Sequence, residues 1–359
     1  MAKPRSEVFI KDEVGIYHCL TKIVRGRFLF GLDAFTGKNY NYRKDWIRKE
    51  FRRIAGEMAI QILDYAVLAS HLHAVLRNRP DIVAQWSDAE VVRRWWRLCP
   101  RRRKPNGKPA KPRESELKAL REKVDELRER LSDISWMMRL ALQRVAQRAN
   151  KEDDVEGRFF AKRFDCKRLE DEVSLLNCSL YVDLNWVHAG IAETPEESTY
   201  TSAFERIRAV WIENAQTLSG EVDEDDRFDG DWLAPIFIDE RAEAYVSAKD
   251  VPPERTLEEA NSEPPPANEL NCEGEAKETT LYNALGARRV SNRGFLPITL
   301  KRYLELLDLV GRRIRSDKRG AIPEWLPPIL ERLKLEPKAW FEEIMSLFDA
   351  PNFMCRKPA

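Results

Sequence analysis

Two adjacent β-rich runs, residues 60–68 and 71–76, constrain the fold more than any other part of the chain. Only two residues separate them, and a connection of this length predicts a β-hairpin. Successive side chains of a strand point to opposite faces, so His71 and His73 would share one face while the apolar residues between them face a core. The hairpin therefore predicts a sheet with one buried face and a pair of imidazoles on the other.

The segments before the hairpin extend this pattern. Residues 15–24 alternate loosely and are rich in Ile, Tyr, Leu, Thr and Val, which predicts a strand that carries His18. Residues 45–58 carry apolar side chains at helical spacing with charges between them, which predicts an amphipathic helix. Strand, helix and hairpin in this order are half of a ferredoxin-like unit. The predicted class is α+β: an antiparallel ferredoxin-like sheet with helices on one face.

A long insertion of about residues 98–150 follows a short helix predicted over 87–97. Between Val91 and Arg113 the chain has ten Lys or Arg and no acidic residue. Its middle, residues 101–109, predicts a solvated loop, and residues 114–150 predict one long helix. Trp95 and Trp96 lie within the basic stretch and would either stack on unpaired bases or pack in a core.

A further strand is predicted over residues 157–166, and residues 169–189 give the clearest helical pattern. One apolar stripe runs along this helix and Gly190 stands at its C-cap position. The stripe comprises Val173, Leu176, Leu180, Leu184 and Val187. Tyr181 and Asn185 lie off the stripe and one turn apart. Tyr181 is therefore either a packing tyrosine or a nucleophilic phenol beside a neutral carbonyl ligand.

Composition divides the chain into three parts. Residues 1–213 would form the main domain, residues 214–279 an acidic, proline-containing and largely disordered linker, and residues 280–359 a small helical domain of unknown role. The six cysteines show no CxxC spacing, which argues against a disulfide framework and a zinc ribbon. No apolar run has the length of a membrane span. The expected location is cytoplasmic and associated with the nucleoid, with no membrane partner.

Charge is distributed unevenly behind a formal net charge of +1. Residues 1–150 carry 33 Lys or Arg against 18 Asp or Glu, a balance of +15, and the rest of the chain carries −14. A basic front half predicts contacts with the phosphates of a polyanion. The candidate phosphate-binding residues are Arg25, Arg27, Arg101, Arg102, Arg103, Lys104, Arg158, Lys162 and Arg163.

Four motifs together resemble one known family. They are Tyr17-His18-Cys19, the run from Tyr65 to His73, Glu156-Gly157-Arg158-Phe159 with Arg163-Phe164, and the run from Tyr181 to Gly190. In order, they are similar to the HUH-type single-tyrosine transposases of the insertion-sequence-200-like group, especially the REP-associated tyrosine transposases. The resemblance covers roughly residues 13–210.

The sequence departs from the family pattern at two places. The family's Y-x-x-M-P-N-H-x-H has Leu68-Ala69-Ser70 before the histidines here, and its Y-x-x-x-N-P-V-R-A-G has Trp186 and His188 in place of Pro and Arg. The groups that carry the family's chemistry are kept. The departures therefore affect turn geometry and DNA contacts more than the reaction.

The resemblance implies a DNA transposase that cleaves and rejoins single-stranded or hairpin DNA, acting as a homodimer. It implies that His71, His73 and Asn185 hold Mg²⁺ or Mn²⁺, and that Tyr181 attacks the scissile phosphate to form a 5′-phosphotyrosine. His18 and His188 would be accessory residues. Two alternatives stay open: a DNA-binding regulatory derivative without catalysis, and a metal-dependent single-strand nuclease in which water replaces Tyr181 as the nucleophile.

Overall fold

The computed structural model describes residues 9–10, 12–219, 232–238, 289–314 and 316–333. They form an α+β fold around a four-stranded antiparallel sheet. The strands are β1 (Gly15–Lys22), β2 (Ile60–Val67), β3 (His71–Asn78) and β4 (Asp165–Leu169), and their order across the sheet is β2-β3-β1-β4. Helices separate β1 from β2 and β3 from β4, so connection and order are those of a ferredoxin-like unit. The predicted fold class is confirmed.

Eleven α-helices are present in the described part of the chain. In chain order they are α1 (Arg43–Ala55), α2 (Pro80–Val83), α3 (Asp88–Leu98), α4 (Glu114–Arg121), α5 (Val124–Leu131), α6 (Ile134–Asp153), α7 (Glu172–Asp183), α8 (Asn185–His188), α9 (Ser202–Ser219), α10 (Leu300–Gly311) and α11 (Ile329–Arg332). Two short 3₁₀ helices span Val24–Gly26 and Pro195–Glu197.

One face of the sheet is apolar. Leu72, Ala74 and Leu76 of β3 lie on this face and are fully buried. They join a single hydrophobic core with the apolar sides of α1 and α6. Burial of this side is what the alternation of the hairpin predicts, because a strand side chain two residues on returns to the same face.

The opposite face of the sheet is also covered by helices. A second core joins Leu63 and Val75 of the strands to Leu180 of α7 and Leu307 of α10. Helices thus lie on both faces, whereas the sequence predicts them on one. The cause is that α7 and the C-terminal segment, which comprises the described residues 289–314 and 316–333, pack on the face that the histidines occupy.

Three predicted elements have different bounds in the structure. The single helix predicted over 114–150 is three helices, α4, α5 and α6, because Asp133 caps a new helix by accepting a hydrogen bond from the Ser135 amide at 2.5 Å. The strand predicted over 157–166 is observed as β4 (Asp165–Leu169), which is shorter and begins later in the chain. The backbone bends at Gly157, where φ is +107°. The helix predicted over 169–189 is interrupted at Leu184, where φ is −87° and ψ is 0°.

Parts of the predicted linker and C-terminal domain belong to the main fold. Trp232 is fully buried in the first core, and Leu233 forms a bridge with Ile62 of β2. Residues 232–238, within the predicted linker, thus pack on the main fold, and α10 packs on α7. The division of the chain into three parts stays a prediction. The remainder of the predicted linker beyond α9, and residues 334–359, lie outside the described residues.

Candidate active site

Three of the four histidines meet on one face of the sheet. His71 lies opposite Lys22 and His73 opposite Leu20 in the register of β3 with β1, and His18 lies opposite Val75. The Nε2 atom of His18 is 2.9 Å from Nδ1 of His73, and these two rings are stacked with centroids 5.1 Å apart. The His71 ring lies edge-on to His73 at 5.0 Å. The hairpin and the first strand together thus build a cluster of imidazoles.

In both His71 and His73, the Nδ1 atom of the ring has a hydrogen-bond partner. The Nδ1 atom of His71 is 3.1 Å from Oγ of Ser70, and Nδ1 of His73 bonds His18. The Nε2 atom of His73 is buried and has no hydrogen-bond partner among the described residues. When Nδ1 donates to these partners, the lone pair of Nε2 is available to a metal ion.

Burial keeps this cluster neutral. It lowers the pKa of His71 and of His18, and it lowers the pKa of His73 to about 2, with further lowering from the neighbouring His18 and His71. Imidazoles without charge are the form that ligates metal ions. A buried nitrogen with no partner, held in this form, fits a divalent cation at His71 and His73.

Tyr181 lies against the same cluster. Asp171 caps the N-terminus of helix α7 by accepting a hydrogen bond from the Ser174 amide, and the third turn of the helix places Tyr181 over the sheet. The Tyr181 ring stands edge-on to His73 at 5.5 Å and to His18 at 6.5 Å. Its residue is 39% exposed, so a substrate can reach the side chain. The structure thus brings Tyr181 together with His73 and His18.

Asn185 and His188 are placed differently. The Asn185 amide donates to the carbonyl of Tyr181 at 2.9 Å, a bond within its own helical turn. His188 is buried at the end of α8, where its carbonyl accepts from the Arg319 amide at 3.0 Å. The described residues contain no group of three or more His, Cys, Asp or Glu side chains arranged to hold a metal ion.

Trp186 explains one departure from the family motif. Its indole Nε1 donates to the Val67 carbonyl at the end of β2 at 2.9 Å, and the Lys44 ammonium lies 4.3 Å from its ring centroid. Burial lowers the pKa of this lysine to about 8. The tryptophan thus fixes α8 to the sheet edge through a hydrogen bond that a proline cannot donate.

Sequence reasoning missed Lys318. This residue follows α10 in the C-terminal segment, and its Nζ atom lies 5.5 Å from the centroid of the Tyr181 ring. No motif or spacing in the sequence joins two residues so far apart, and the predicted domain boundary separates them. Only the packing of the C-terminal segment on α7 and α8 brings this ammonium group to the tyrosine.

A buried polar network, also absent from the sequence predictions, supports α7 next to Tyr181. Asp183 accepts hydrogen bonds from the Ala203 amide at 2.8 Å, the Tyr303 hydroxyl at 2.7 Å and the Ser202 hydroxyl. The network connects α7 to both α9 and α10. It therefore ties the helix of Tyr181 to the C-terminal segment.

Three of the predicted DNA-binding residues lie together at the end of the sheet that carries the histidines. Arg25, Arg27 and Arg158 line a groove of about 610 Å³, with Lys38 and the aromatic ring of Phe35, whose residue is 83% exposed. The amide of Ile23 bonds the Ser70 carbonyl at 2.8 Å, so this loop adjoins the turn before His71. Arg27 forms an ion pair with Asp33 and lowers the pKa of that carboxyl.

The other predicted DNA-binding residues are dispersed or engaged. Arg102 bonds Glu116 through two nitrogens at 3.2 and 3.0 Å, Arg103 bonds the Gly107 carbonyl, and Lys162 pairs with Asp165 at 2.8 Å. The stretch predicted as an unstructured loop contains a bridge between Arg103 and Pro109. The remaining predicted residues, Arg101, Lys104 and Arg163, are exposed.

The two tryptophans of the basic stretch are packing residues. Both are buried: Trp95 lies edge-on to Trp136 at 5.7 Å, and Nε1 of Trp96 donates to the Ala110 carbonyl at 2.7 Å. Of the two roles open to them, packing in a core is the one that their burial supports, because α3 turns its apolar side toward α5 and α6.

Comparisons with known proteins give one likeness. A search of solved structures finds a REP-associated tyrosine transposase bound to a REP hairpin, with a TM-score of 0.34 and 12% sequence identity. The likeness covers 57% of this chain and 84% of that chain. At this TM-score it carries no argument of its own.

No family model and no curated protein matches the chain, and no described helix is both long and apolar enough to cross a bilayer.

Proposed function

We propose that this chain is a DNA strand transferase, a transposase that cleaves and rejoins single-stranded or hairpin DNA through a phosphotyrosine at Tyr181. The observation that carries the proposal is the exposed Tyr181 ring packed edge-on against His73 and His18. A phenol next to metal-capable imidazoles is suited to nucleophilic attack on phosphorus. Nothing in the apolar packing of α7 requires a tyrosine at this exposed position.

The proposed reaction exchanges one phosphate ester for another. The Tyr181 oxygen forms a bond to the scissile phosphorus, and the bond from phosphorus to the 3′ oxygen of the preceding nucleotide breaks. The phenol releases a proton to solvent and the leaving oxygen gains one, which yields a 5′-phosphotyrosine and a free 3′-hydroxyl. Attack by another 3′-hydroxyl reverses these bond changes and joins two strands without an external energy source.

His71 and His73 are the residues that would hold a divalent ion, Mg²⁺ or Mn²⁺, with Asn185 as the third ligand that the family resemblance implies. A bound ion would polarise the phosphoryl group as a Lewis acid. His18 contributes by its contact with Nδ1 of His73, since such a partner fixes the orientation of a ligating imidazole. An accessory role for His188, which is buried at the end of α8, stays a prediction.

The groove lined by Arg25, Lys38 and Arg158 is the proposed surface for the DNA backbone. Phosphate contacts supply most of the affinity of proteins for nucleic acids and make it dependent on salt. The exposed ring of Phe35 would stack on an unpaired base. The homodimer that the family resemblance implies stays a prediction.

The test is covalent capture of DNA. The protein is incubated with Mn²⁺ and a pool of labelled DNA hairpins with randomised single-stranded flanks, and adducts are separated under denaturing conditions and sequenced. We expect an adduct that Tyr181→Phe abolishes. Tyr42→Phe is the matched control, because Tyr42 is similarly exposed, at 44%, and its hydroxyl donates to Glu152 of α6.

Two results would replace the proposal by its alternatives. Retention of the hairpins without any adduct would support a regulatory DNA-binding protein, an outcome consistent with the Asn185 amide bonding its own helix. Strand cleavage that survives Tyr181→Phe would support a nuclease that uses water as the nucleophile.

A further inference from the structure

The C-terminal segment brings one cation to the candidate active site. The Nζ atom of Lys318 lies 5.5 Å from the Tyr181 ring centroid, and the side chain is 23% exposed. The carboxylate that pairs with it is that of its neighbour Asp317, at 3.6 Å and itself 56% exposed. Ion pairs exposed to this degree are weak. The ammonium group can therefore exchange this contact for a phosphate.

The backbone around Lys318 is fixed to the helices that carry the tyrosine. The Arg319 amide donates to the His188 carbonyl at 3.0 Å. A Cβ atom at Gly320 would lie 2.3 Å from the Val187 carbonyl oxygen, so only glycine permits this close approach. Gly311 at the end of α10 is similarly close to Leu184, at 2.9 Å from a side-chain carbon. Lys318 is thus held on a short loop anchored on both sides.

The position of Lys318 has two explanations. A cation on the face of a tyrosine ring contributes about 0.5–1 kcal/mol at an exposed site, so the contact could serve packing alone. However, a phosphorus atom attacked by the Tyr181 hydroxyl must come within about 3.5 Å of it. A flexible lysine that already lies over this ring can reach the non-bridging oxygens of that phosphate.

We propose that Lys318 is a catalytic residue that binds the non-bridging oxygens of the scissile phosphate and neutralises the charge that develops on them. This inference rests on the proposed attack by Tyr181. Lys318 keeps its proton throughout, and its contribution is electrostatic stabilisation of the five-coordinate phosphorus. The site is then completed by a part of the chain outside the ferredoxin-like unit.

The experiment compares two chemical forms of one substrate. A hairpin oligonucleotide captured by the wild-type protein is prepared with a phosphodiester or an uncharged methylphosphonate at the mapped scissile position. Lys318→Ala should slow adduct formation about 10²–10³-fold on the phosphodiester. On the methylphosphonate, which is uncharged before attack, the same substitution should slow it less than about tenfold, because the five-coordinate phosphorus then carries one negative charge fewer for Lys318 to neutralise.

Two further variants test whether the effect comes from the charge of Lys318. Lys318→Arg should recover most of the rate on the phosphodiester, and this rescue decides the question if the methylphosphonate reacts too slowly to measure. Arg319→Ala is the matched control: it removes an exposed cation one residue away and should change the rate less than about threefold. Unfolding midpoints of all variants are compared with that of the wild type.

The outcomes separate the two proposals. If the wild type forms an adduct and Lys318→Ala is as fast, or loses the same factor on both substrates, the role of Lys318 is wrong while that of Tyr181 stands. If the wild type forms no adduct at all, the function proposed for Tyr181 is wrong and the role of Lys318 falls with it.

Discussion

The two faces of the sheet are built from the same strands yet have different chemistry. On one face the side chains of β3 are Leu72, Ala74 and Leu76, packed by α1 and α6. On the other they are His71, His73, Val75 and Arg77, covered by α7 and the C-terminal segment. The first face stabilises the fold by apolar burial, and the second places the groups that can react.

Burying a polar face requires a partner for almost every polar atom. Here the C-terminal segment supplies many of them: the Arg77 guanidinium donates to the Gly294 carbonyl at 3.0 Å and to the Arg293 carbonyl at 2.6 Å, and the Tyr303 hydroxyl bonds Asp183. Because of these hydrogen bonds, the segment after the predicted linker is part of the polar face. This segment supplies hydrogen-bond partners for the buried polar groups of this face. The apolar face needs no such partners.

The largest expected effect tests the charge balance of the polar face. Arg206 lies between two buried carboxylates, 2.8 Å from Asp64 and 3.7 Å from Asp183. Arg206→Met would leave both without their cation, and removal of one partner from a buried ion pair costs about 3–5 kcal/mol. Denaturant unfolding measures the loss. Arg302→Met is the matched control on α10, where the exposed pair with Glu305 should contribute less than about 1 kcal/mol.

A loss of less than about 1 kcal/mol in the free energy of unfolding for Arg206→Met would contradict this view of the polar face. It would mean that the carboxylates of the polar face are protonated or relax toward solvent without the arginine, so that their burial is not what holds α7 and α9 to the sheet.

A second test changes neighbouring residues on opposite faces. Leu72→Ala removes a fully buried side chain from the apolar core and should destabilise the protein by about 2–5 kcal/mol. His73→Leu removes the unpartnered Nε2 atom but also the hydrogen bond between Nδ1 and His18, and we expect a loss of about 0.5–1.5 kcal/mol. Adduct formation should respond in the opposite order, with His73→Leu the more damaging. Unfolding midpoints and adduct yields of the two variants are measured together; a loss of stability for His73→Leu as large as that for Leu72→Ala would contradict the division between the faces.

A third expected effect is a pH dependence of stability. Burial and the nearby Asp64 raise the pKa of Asp183 to about 7, against about 3.9 for an unfolded aspartate. Between these values the folded protein holds a proton that the unfolded chain has lost, so stability falls as pH rises through this window, by at most about 1.4 kcal/mol per pH unit. Above pH 7 the decline should stop.

Asp183→Asn isolates this contribution, because the variant has no proton to lose there. The free energy of unfolding of the wild type minus that of the variant should decrease between pH 5 and pH 7. A flat difference would show that the hydrogen bonds from Tyr303, Ser202 and the Ala203 amide keep the carboxylate ionised over the whole range.

Local pattern was sufficient for the sheet and for part of the site. The alternation around His71 and His73 predicts which residues share a face, and the chain order of strand, helix and hairpin predicts the ferredoxin-like unit that is observed. The apolar stripe of the tyrosine helix was less reliable. Val173 belongs to the predicted stripe but is 68% exposed, while Ser179 and Asp183 are buried. A helix packed between a sheet and a second helix buries more than one side, so its periodicity no longer identifies a single core face.

Sequence alone predicts the hairpin, the shared face of His71 and His73, and a helix that carries Tyr181, because each depends on neighbours within a few residues whose spacing matches the strand or helix repeat. Only the tertiary structure decided that His18 bonds His73, that α7 lies on the histidine face, and that Lys318 reaches Tyr181. These are contacts between distant segments, set by which surfaces pack together. The physical reason is that packing depends on shape and on the satisfaction of buried polar groups across the whole fold, neither of which a local repeat contains.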